Sequence, residues 1–381
     1  MKRSTDRILT THVGSLPRPS VVVDFLMKKE KGDTYDTEKF AAAMKAAVAD
    51  VVARQAKIGL DVISDGETSK IGYATYMQER LNGFAGHVER KISLDLVAYP
   101  EFREKMARIT GPMAFARAAC VAPVTAKDWT PLERDLANFR AALSGKKVAE
   151  AFMNSASPGL VSAFQPNQHY KTHEAYIEAI AAAMREEYQA IVKAGFLLQL
   201  DCPDLAMAKH TGFQELSEAD FLRRAAFHVE AMNHALEGIP AEKLRMHICW
   251  GNYEGPHDHD IPVEKVMSIV LKAKPQAILF EAANPRHEHE WTAWRDAKIP
   301  ADKILVPGVI TSTSNYVEHP ELVAQRIERF AGIVGRERVI AGTDCGFGTF
   351  AGFGKMDPEI SYKKLAALVE GAKIASKRLW R

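Results

Sequence analysis

The sequence predicts an α/β fold, a (β/α)8 TIM barrel with an insertion between strands 2 and 3. Three observations carry this reading. Eight short apolar runs recur along the 381 residues, helical stretches fill most intervals between them, and the residues able to do chemistry fall at or near the run ends. A barrel of this kind keeps its site at the strand C-termini.

The runs are Ile8–Ser15, Leu60–Glu67, Val148–Ser155, Phe196–Pro203, Lys243–Trp250, Ala277–Asn284, Lys303–Ile310 and Arg338–Cys345. Several are almost continuously apolar, as parallel strands covered on both faces must be. Between them, Tyr35–Gly59 is Ala-rich with apolar spacing near 3.6 and predicts a helix. His173–Gly195 predicts another, ending at a glycine suited to a C-cap. Pro320–Gly335 opens on a proline tolerated in a first turn and closes on glycine. One interval breaks the rhythm, Thr68 to Lys147. Within it Lys91–Leu96 and Gly111–Thr125 alternate in a β-like way, which predicts a hairpin on the catalytic face. The chain 1–381 thus reads as a single (β/α)8 barrel with region 68–147 inserted into it.

Composition narrows the class. Hydrophobic residues make up 47% and charged residues 26%, as in ordinary globular proteins. A formal net charge of +2 gives no electrostatic case for nucleic acid or a membrane surface. No run reaches the roughly 18 apolar residues of a membrane span, and nothing behind the N-terminus resembles a signal peptide. Four cysteines, Cys120, Cys202, Cys249 and Cys345, are too few for a disulfide framework. A reduced, cytoplasmic location follows as an expectation, with thiols free to bind metal.

The metal reading starts from His247-Ile248-Cys249. Alternate residues of a strand share a side, so His247 and Cys249 aim at one point. Cys345 lies at the same barrel end, within Gly-Thr-Asp-Cys-Gly-Phe-Gly. Zinc takes Cys at about 2.3 Å and His at about 2.0 Å, usually with four ligands. Glu281, on the next strand, is the best fourth candidate. Buried cysteines more often act as small hydrophobes; Cys120 reads that way, and Cys202, backed by Pro203, ranks below the histidine-paired set. Two thiolates make zinc a poor Lewis acid but leave a coordinated thiol ionised and nucleophilic. Such a set favours thiol alkylation over water activation. Ser15, Glu67 and Asp201 also sit at strand ends. An acid flanked by apolar strand residues, as Asp201 is, needs a partner.

Thr-Thr-His-Val-Gly-Ser-Leu-Pro-Arg-Pro (10–19), Leu-Gln-Leu-Asp (198–201), His-Ile-Cys (247–249), Phe-Glu (280–281), Pro-Gly-Val (307–309) and Gly-Thr-Asp-Cys-Gly (342–346) resemble the catalytic barrel of cobalamin-independent methionine synthase. The likeness runs in order along nearly the whole chain. It implies Zn2+ on His247, Cys249, Glu281 and Cys345, and a homocysteine pocket at Gly14, Ser15, Glu67 and Asp201. Two carboxylates would hold an α-ammonium, and Ser15 with nearby backbone N–H groups an α-carboxylate. The chain lacks the second barrel of the long synthases. Ala156 stands where the family stacks a tryptophan on the pterin, and Thr313 where it has an acid histidine. It is therefore closer to the short single-barrel branch, which includes corrinoid-dependent methyltransferases and epoxyalkane:coenzyme M transferase.

The expected function is a zinc-dependent thiol S-alkyltransferase, in which a homocysteine-like thiolate attacks a methyl donor. Its partners are a small-molecule thiol and an alkyl donor, with a corrinoid protein as one source of methyl; a homo-oligomer would be ordinary. Epoxide opening by a zinc thiolate is the alternative. A uroporphyrinogen-decarboxylase-like barrel is a weaker third, since it needs an arginine cluster and no zinc. A closed zinc scaffold without catalysis is the non-enzymatic reading. His257, His259, His287 and His289 lie in loops at the same face, where the bland reading is solvated loop residues; His287 or His289 is a candidate proton donor to a leaving group, and Tyr316 and His319 are similar candidates. Arg18 and Arg286 could pair an anionic substrate or cap the rim.

Overall fold

A computed structural model describes residues 1–110, 117–354 and 356–381. Eight strands form the central sheet: β1 (Leu9–Thr10), β2 (Val62–Ser64), β3 (Glu150–Ala156), β4 (Leu197–Asp201), β5 (Leu244–His247), β6 (Ala277–Phe280), β7 (Ile304–Ile310) and β8 (Ile340–Thr343). Their order is β1-β8-β7-β6-β5-β4-β3-β2, and every ladder is parallel. Individual bonds close the seam between β1 and β2. Asp61 N donates to Thr10 O at 3.2 Å, Thr11 Oγ1 to Val62 O at 2.9 Å and Leu16 N to Gly66 O at 3.0 Å. The sheet is thus the (β/α)8 barrel that eight apolar runs predict.

The regular strands are shorter than the runs. Cys249 lies two residues beyond β5, yet the chain stays in line. Ile248 N still donates to Leu279 O at 3.0 Å, and Met207 N to Cys249 O at 3.1 Å. Apolarity marks burial, and burial here extends past the last ladder pair into the loops.

The predicted helices form where their signals lie. Thr37–Ile58 starts at Asp36, whose carboxylate accepts from Glu38 N and Lys39 N at 3.1 and 3.0 Å. It buries Phe40, Met44, Val48, Val51 and Val52, a stripe at helical spacing. His173–Lys193 is capped by Thr172, which accepts from Ala175 N at 3.1 Å. Pro320–Val334 carries its proline in the first turn. The main core lies between these helices and the outer strand faces. Inside the barrel, Leu9, Val13, Leu279, Val306 and Ile340 fill one part, and Val62, Phe152 and Leu197 another.

Between β2 and β3 the chain makes helices Met77–Arg80, Leu94–Val97, Pro100–Thr110 and Thr130–Leu143. It also pairs Phe84–Ala85 antiparallel with Ala119–Cys120. The second alternating stretch, Gly111–Thr125, supplies this short strand; its first six residues lie outside the described ones. The first stretch, Lys91–Leu96, is not a strand. Leu94 N donates to His210 O at 3.0 Å and Ser93 Oγ meets His210 Nδ1 at 2.8 Å, so polar contacts to the barrel turn the backbone into a helix instead. Among the described residues no helix is long and apolar enough to cross a membrane.

Arg80 anchors the interval to the barrel helices. Its guanidinium is 2.9 Å from Asp135 Oδ2 and 2.9 Å from Glu187 Oε2, with all three side chains buried. Replacing one member of such a cluster strands the others without a counter-charge. Arg80→Met is expected to cost about 3–5 kcal/mol in urea denaturation. Arg378→Met, which removes the exposed pairs to Glu321 and Glu328, should leave the urea midpoint almost unchanged.

Candidate metal centre and adjoining cavity

His247 ends β5, and Cys249 and Cys345 each follow a strand by two residues. One ligand atom from each of the three lies within 4.8 Å of the others. The two sulfurs are 3.8 Å apart. That is too long for a disulfide, and it matches two sulfurs set tetrahedrally about zinc, which stand about 3.8 Å apart at bond lengths of about 2.3 Å. The register of β8 against β7 slips at Gly342–Thr343, just before Cys345. Asp344 Oδ1 accepts from Ala282 N and Ala283 N at 2.8 and 2.9 Å, fixing the loop that carries Cys345 to the end of β6.

His247 supplies the clearest test of fit. It is buried, and neither ring nitrogen has a hydrogen-bond partner. Burial and the neighbouring Arg245 push its pKa down to about 3, so the ring stays neutral, the form that binds metal. Left to itself the Cys249 thiol resists ionisation: the Cys345 thiol and burial push its pKa up. A divalent cation between them reverses that. The donor set therefore fits zinc.

Glu281 stands beside this group rather than within it. Its Oε1 accepts from Trp250 N at 2.8 Å, and Oε2 from Asn284 Nδ2 at 2.7 Å. Those bonds orient the carboxylate just behind Cys249.

A cavity of about 450 Å³ opens on the two sulfurs and His247, and Ser15, Glu67 and Asp201 line it too. Glu67 has a left-handed backbone, φ 52°, a strained conformation for a side-chain-bearing residue. Asp65 holds it there by accepting from Glu67 N at 3.0 Å, and Arg18 donates to Glu67 O at 2.8 Å. Lys70 Nζ stands 3.3 Å from the Glu67 carboxylate. Burial, then the charge of Glu67, raises the Asp201 carboxyl above its ordinary range. Its oxygens accept from Asn154 Nδ2 at 3.0 and 3.2 Å and from Gln199 Nε2 at 2.8 Å. Gly14 has φ +147°, and a Cβ there would sit 2.3 Å from Asn154 Oδ1. A side chain at 14 would displace the residue that holds Asp201. A Cβ on Gly346 would come within 2.0 Å of Ser15 Oγ.

Three candidate proton donors are not brought to the cavity. His287 is buried behind it, with Nε2 2.9 Å from Asp260 Oδ2 and Nδ1 2.9 Å from Glu290 Oε2. Its ring packs on Trp250 at 4.5 Å. His289 is exposed, and Tyr316 is 85% exposed on the rim. His257 belongs with His287, sharing Asp260 Oδ2 at 2.8 Å. This group is a hydrogen-bonded brace: its ring nitrogens are engaged, whereas those of His247 are not. Arg18 serves the Glu67 loop, and Arg286 is exposed.

Several site residues escape a reading of motifs. Tyr73, Phe164 and Phe350 wall the cavity, and Leu96 and Met106 of the inserted interval roof it. Arg245 sits under the site inside the barrel, donating to Thr11 Oγ1 at 2.9 Å and His12 O at 2.7 Å over the Phe152 ring. A charged residue inside an apolar strand run was the available signal for Arg245. Tyr73 lies six residues past Glu67 and shows no periodic mark.

Residues 8–125 match the family model described as "Cobalamin-independent synthase, Catalytic domain". The chain is 26% identical to a methionine synthase of Saccharolobus solfataricus, over 98% of this chain and 96% of that protein. It is 25% identical to a methionine synthase of Thermococcus kodakarensis, over 98% and 94%. The B12-independent methionine synthase of Shewanella sp. W3-18-1, solved with selenomethionine, superposes with a TM-score of 0.69 at 20% identity, covering 98% of this chain and 99% of that one. A putative B12-independent methionine synthase from Listeria monocytogenes gives 0.66 at 18% identity. The two structures share the fold, and the resemblance carried by the motifs extends along nearly the whole chain.

The brace yields a test of pH dependence. Burial opposes the charge on His287, but its hydrogen bonds to the Asp260 and Glu290 carboxylates outweigh it and raise its pKa to about 10. A histidine pKa raised on folding stabilises fully below its unfolded value, about 6.5, and that contribution is lost as pH rises through about 10. Thermal melts from pH 6 to 10.5 should show His287→Gln far less stable than the parent at pH 6, with the gap closing towards pH 10.

Proposed function

From the resemblance to cobalamin-independent methionine synthases, we propose that this protein is a zinc-dependent methyltransferase acting on a homocysteine-like thiol. One observation carries the reading: His247, Cys249 and Cys345 open on the same cavity as Ser15, Glu67 and Asp201. A soft metal set and an amino-acid-binding set face one cavity there.

His247, Cys249 and Cys345 would hold zinc, with Glu281 as the fourth ligand. When bound, zinc supplies nucleophile activation, since a thiol on it is deprotonated outright. The chain's own residues do the rest. Glu67 and Asp201 receive the α-ammonium as charge-assisted acceptors, and Ser15 donates to the α-carboxylate. Gly14 leaves Asn154 free to aim Asp201. The aromatic walls and the roof exclude water and hold the donor carbon in line with the sulfur, which lowers the entropic part of the barrier. The new S–C bond forms as the bond from carbon to its leaving group breaks. A cavity of about 450 Å³ supports a small-molecule donor. Four free, buried cysteines support a reducing compartment such as the cytoplasm.

Purified protein is expected to carry one zinc per chain by elemental analysis, and Cys345→Ser to lose it. In cobalt-substituted protein, homocysteine should shift the absorption bands while methionine does not. Bands indifferent to homocysteine would mean a closed structural site. Glu67→Gln should keep its metal but weaken homocysteine binding about 10- to 100-fold, the range of a hydrogen bond to a charged group.

A further inference from the structure

We infer that Asn284 is a positioning residue: its amide holds the Glu281 carboxylate back from the metal and so keeps a coordination position open to the substrate sulfur. The inference rests on the reading above, in which Glu281 is the fourth ligand and a homocysteine-like thiol is activated on the metal.

His247, Cys249 and Cys345 form a group whose ligand atoms all lie within 4.8 Å of one another, and Glu281 falls outside it. Two hydrogen bonds account for that. Its Oε1 accepts from Trp250 N at 2.8 Å and its Oε2 from Asn284 Nδ2 at 2.7 Å. The first donor belongs to the main chain, directly after Cys249. The second belongs to a side chain whose orientation is set at its other end. Asn284 Oδ1 accepts from Arg286 N and from His287 N, both at 3.0 Å. With the oxygen committed to those N–H groups, the NH2 must face the other way. It faces Glu281 Oε2 and, at 3.2 Å, Asp344 Oδ2. Asp344 directly precedes Cys345, and its Oδ1 is taken up by Ala282 N and Ala283 N. One amide thus ties together two buried acids, one from the end of β6 and one from the loop that bears Cys345.

A hydrogen bond to a carboxylate is about twice as strong as one between neutral groups. Glu281 gives up part of that when it moves onto the metal, so it binds there more weakly than a free carboxylate. That is the behaviour an exchangeable ligand needs. In the exchange Glu281 yields its position to the homocysteine sulfur, whose proton passes to solvent, and settles on Asn284 Nδ2 and Trp250 N. Of those two donors only the amide can be removed by substitution.

The test needs no methyl donor. Cobalt-substituted protein is compared as parent, Asn284→Ser, Glu281→Gln and the double variant. Serine keeps a hydroxyl that can accept from the turn N–H groups but withdraws the amide from Glu281. The readouts are the homocysteine concentration giving half of the absorption shift, and cobalt affinity against a competing chelator. Asn284→Ser should raise half-saturating homocysteine about 10- to 100-fold and tighten cobalt by a similar factor, because the bond to a charged group is lost only in the withdrawn state. In the Glu281→Gln background the same change should move homocysteine by less than about twofold. Equal losses in both backgrounds, no loss in the first, or weaker cobalt binding by Asn284→Ser overturns the role of Asn284 alone. If Glu281→Gln leaves cobalt affinity unchanged, Glu281 is no ligand, and if homocysteine does not move the parent's bands, no thiol reaches the metal; either result defeats the underlying reading and the role of Asn284 with it.

Discussion

The structure depends on a buried imidazole that has no hydrogen-bond partner. Leaving a polar group unpaired in the interior costs about 1–3 kcal/mol, and His247 leaves both nitrogens so. Two residues earlier on the same strand, Arg245 discourages its protonation. The fold thus holds a neutral nitrogen and two sulfurs at one point, in a form favourable only when something electrophilic sits among them. Much of the surrounding mouth serves that point. Asp344 fixes the loop of Cys345, and Trp250, gripped by Glu281 and His287, fixes the chain after Cys249.

Beneath the site the barrel interior is unusually polar for a packed core. Asn154 and Gln199 both donate to Val13 O and to Asp201, so neighbouring strands β3 and β4 are bonded to the chain after β1. Arg245 adds a grip from β5 on Thr11 and His12. Such a layer stabilises less than hydrophobic packing of the same volume, but it locks the strand ends that present Ser15, Asp201 and His247. Burial also lowers Arg245 to about 9, a sign of how dry this layer is.

Much of this was legible in the chain. Apolar runs are set by burial, which reads directly from residue type, and period-2 geometry carried His247 and Cys249 to the same side. The eight-strand count and the metal group follow from those two facts. The strand lengths did not, because apolar loops such as Ile248 are as buried as ladder residues. The β-like stretch Lys91–Leu96 misled because its alternation arises from Ser93 and Asp95 turning toward His210, a contact 115 or more residues away in sequence that no local pattern encodes. The loop histidines misled for a related reason: strand-end placement says which face a residue is on, not whether its side chain faces the cavity or a carboxylate behind it.

The imidazole of His210 joins two segments of the barrel mouth. One nitrogen meets Ser93, beside Asp95 in the inserted roof, and the other meets the carbonyl of Trp250, directly after Cys249. The inserted interval is thereby tied to the chain segment that carries Cys249, so the cover of the cavity and a candidate metal ligand share one hydrogen-bonded ring.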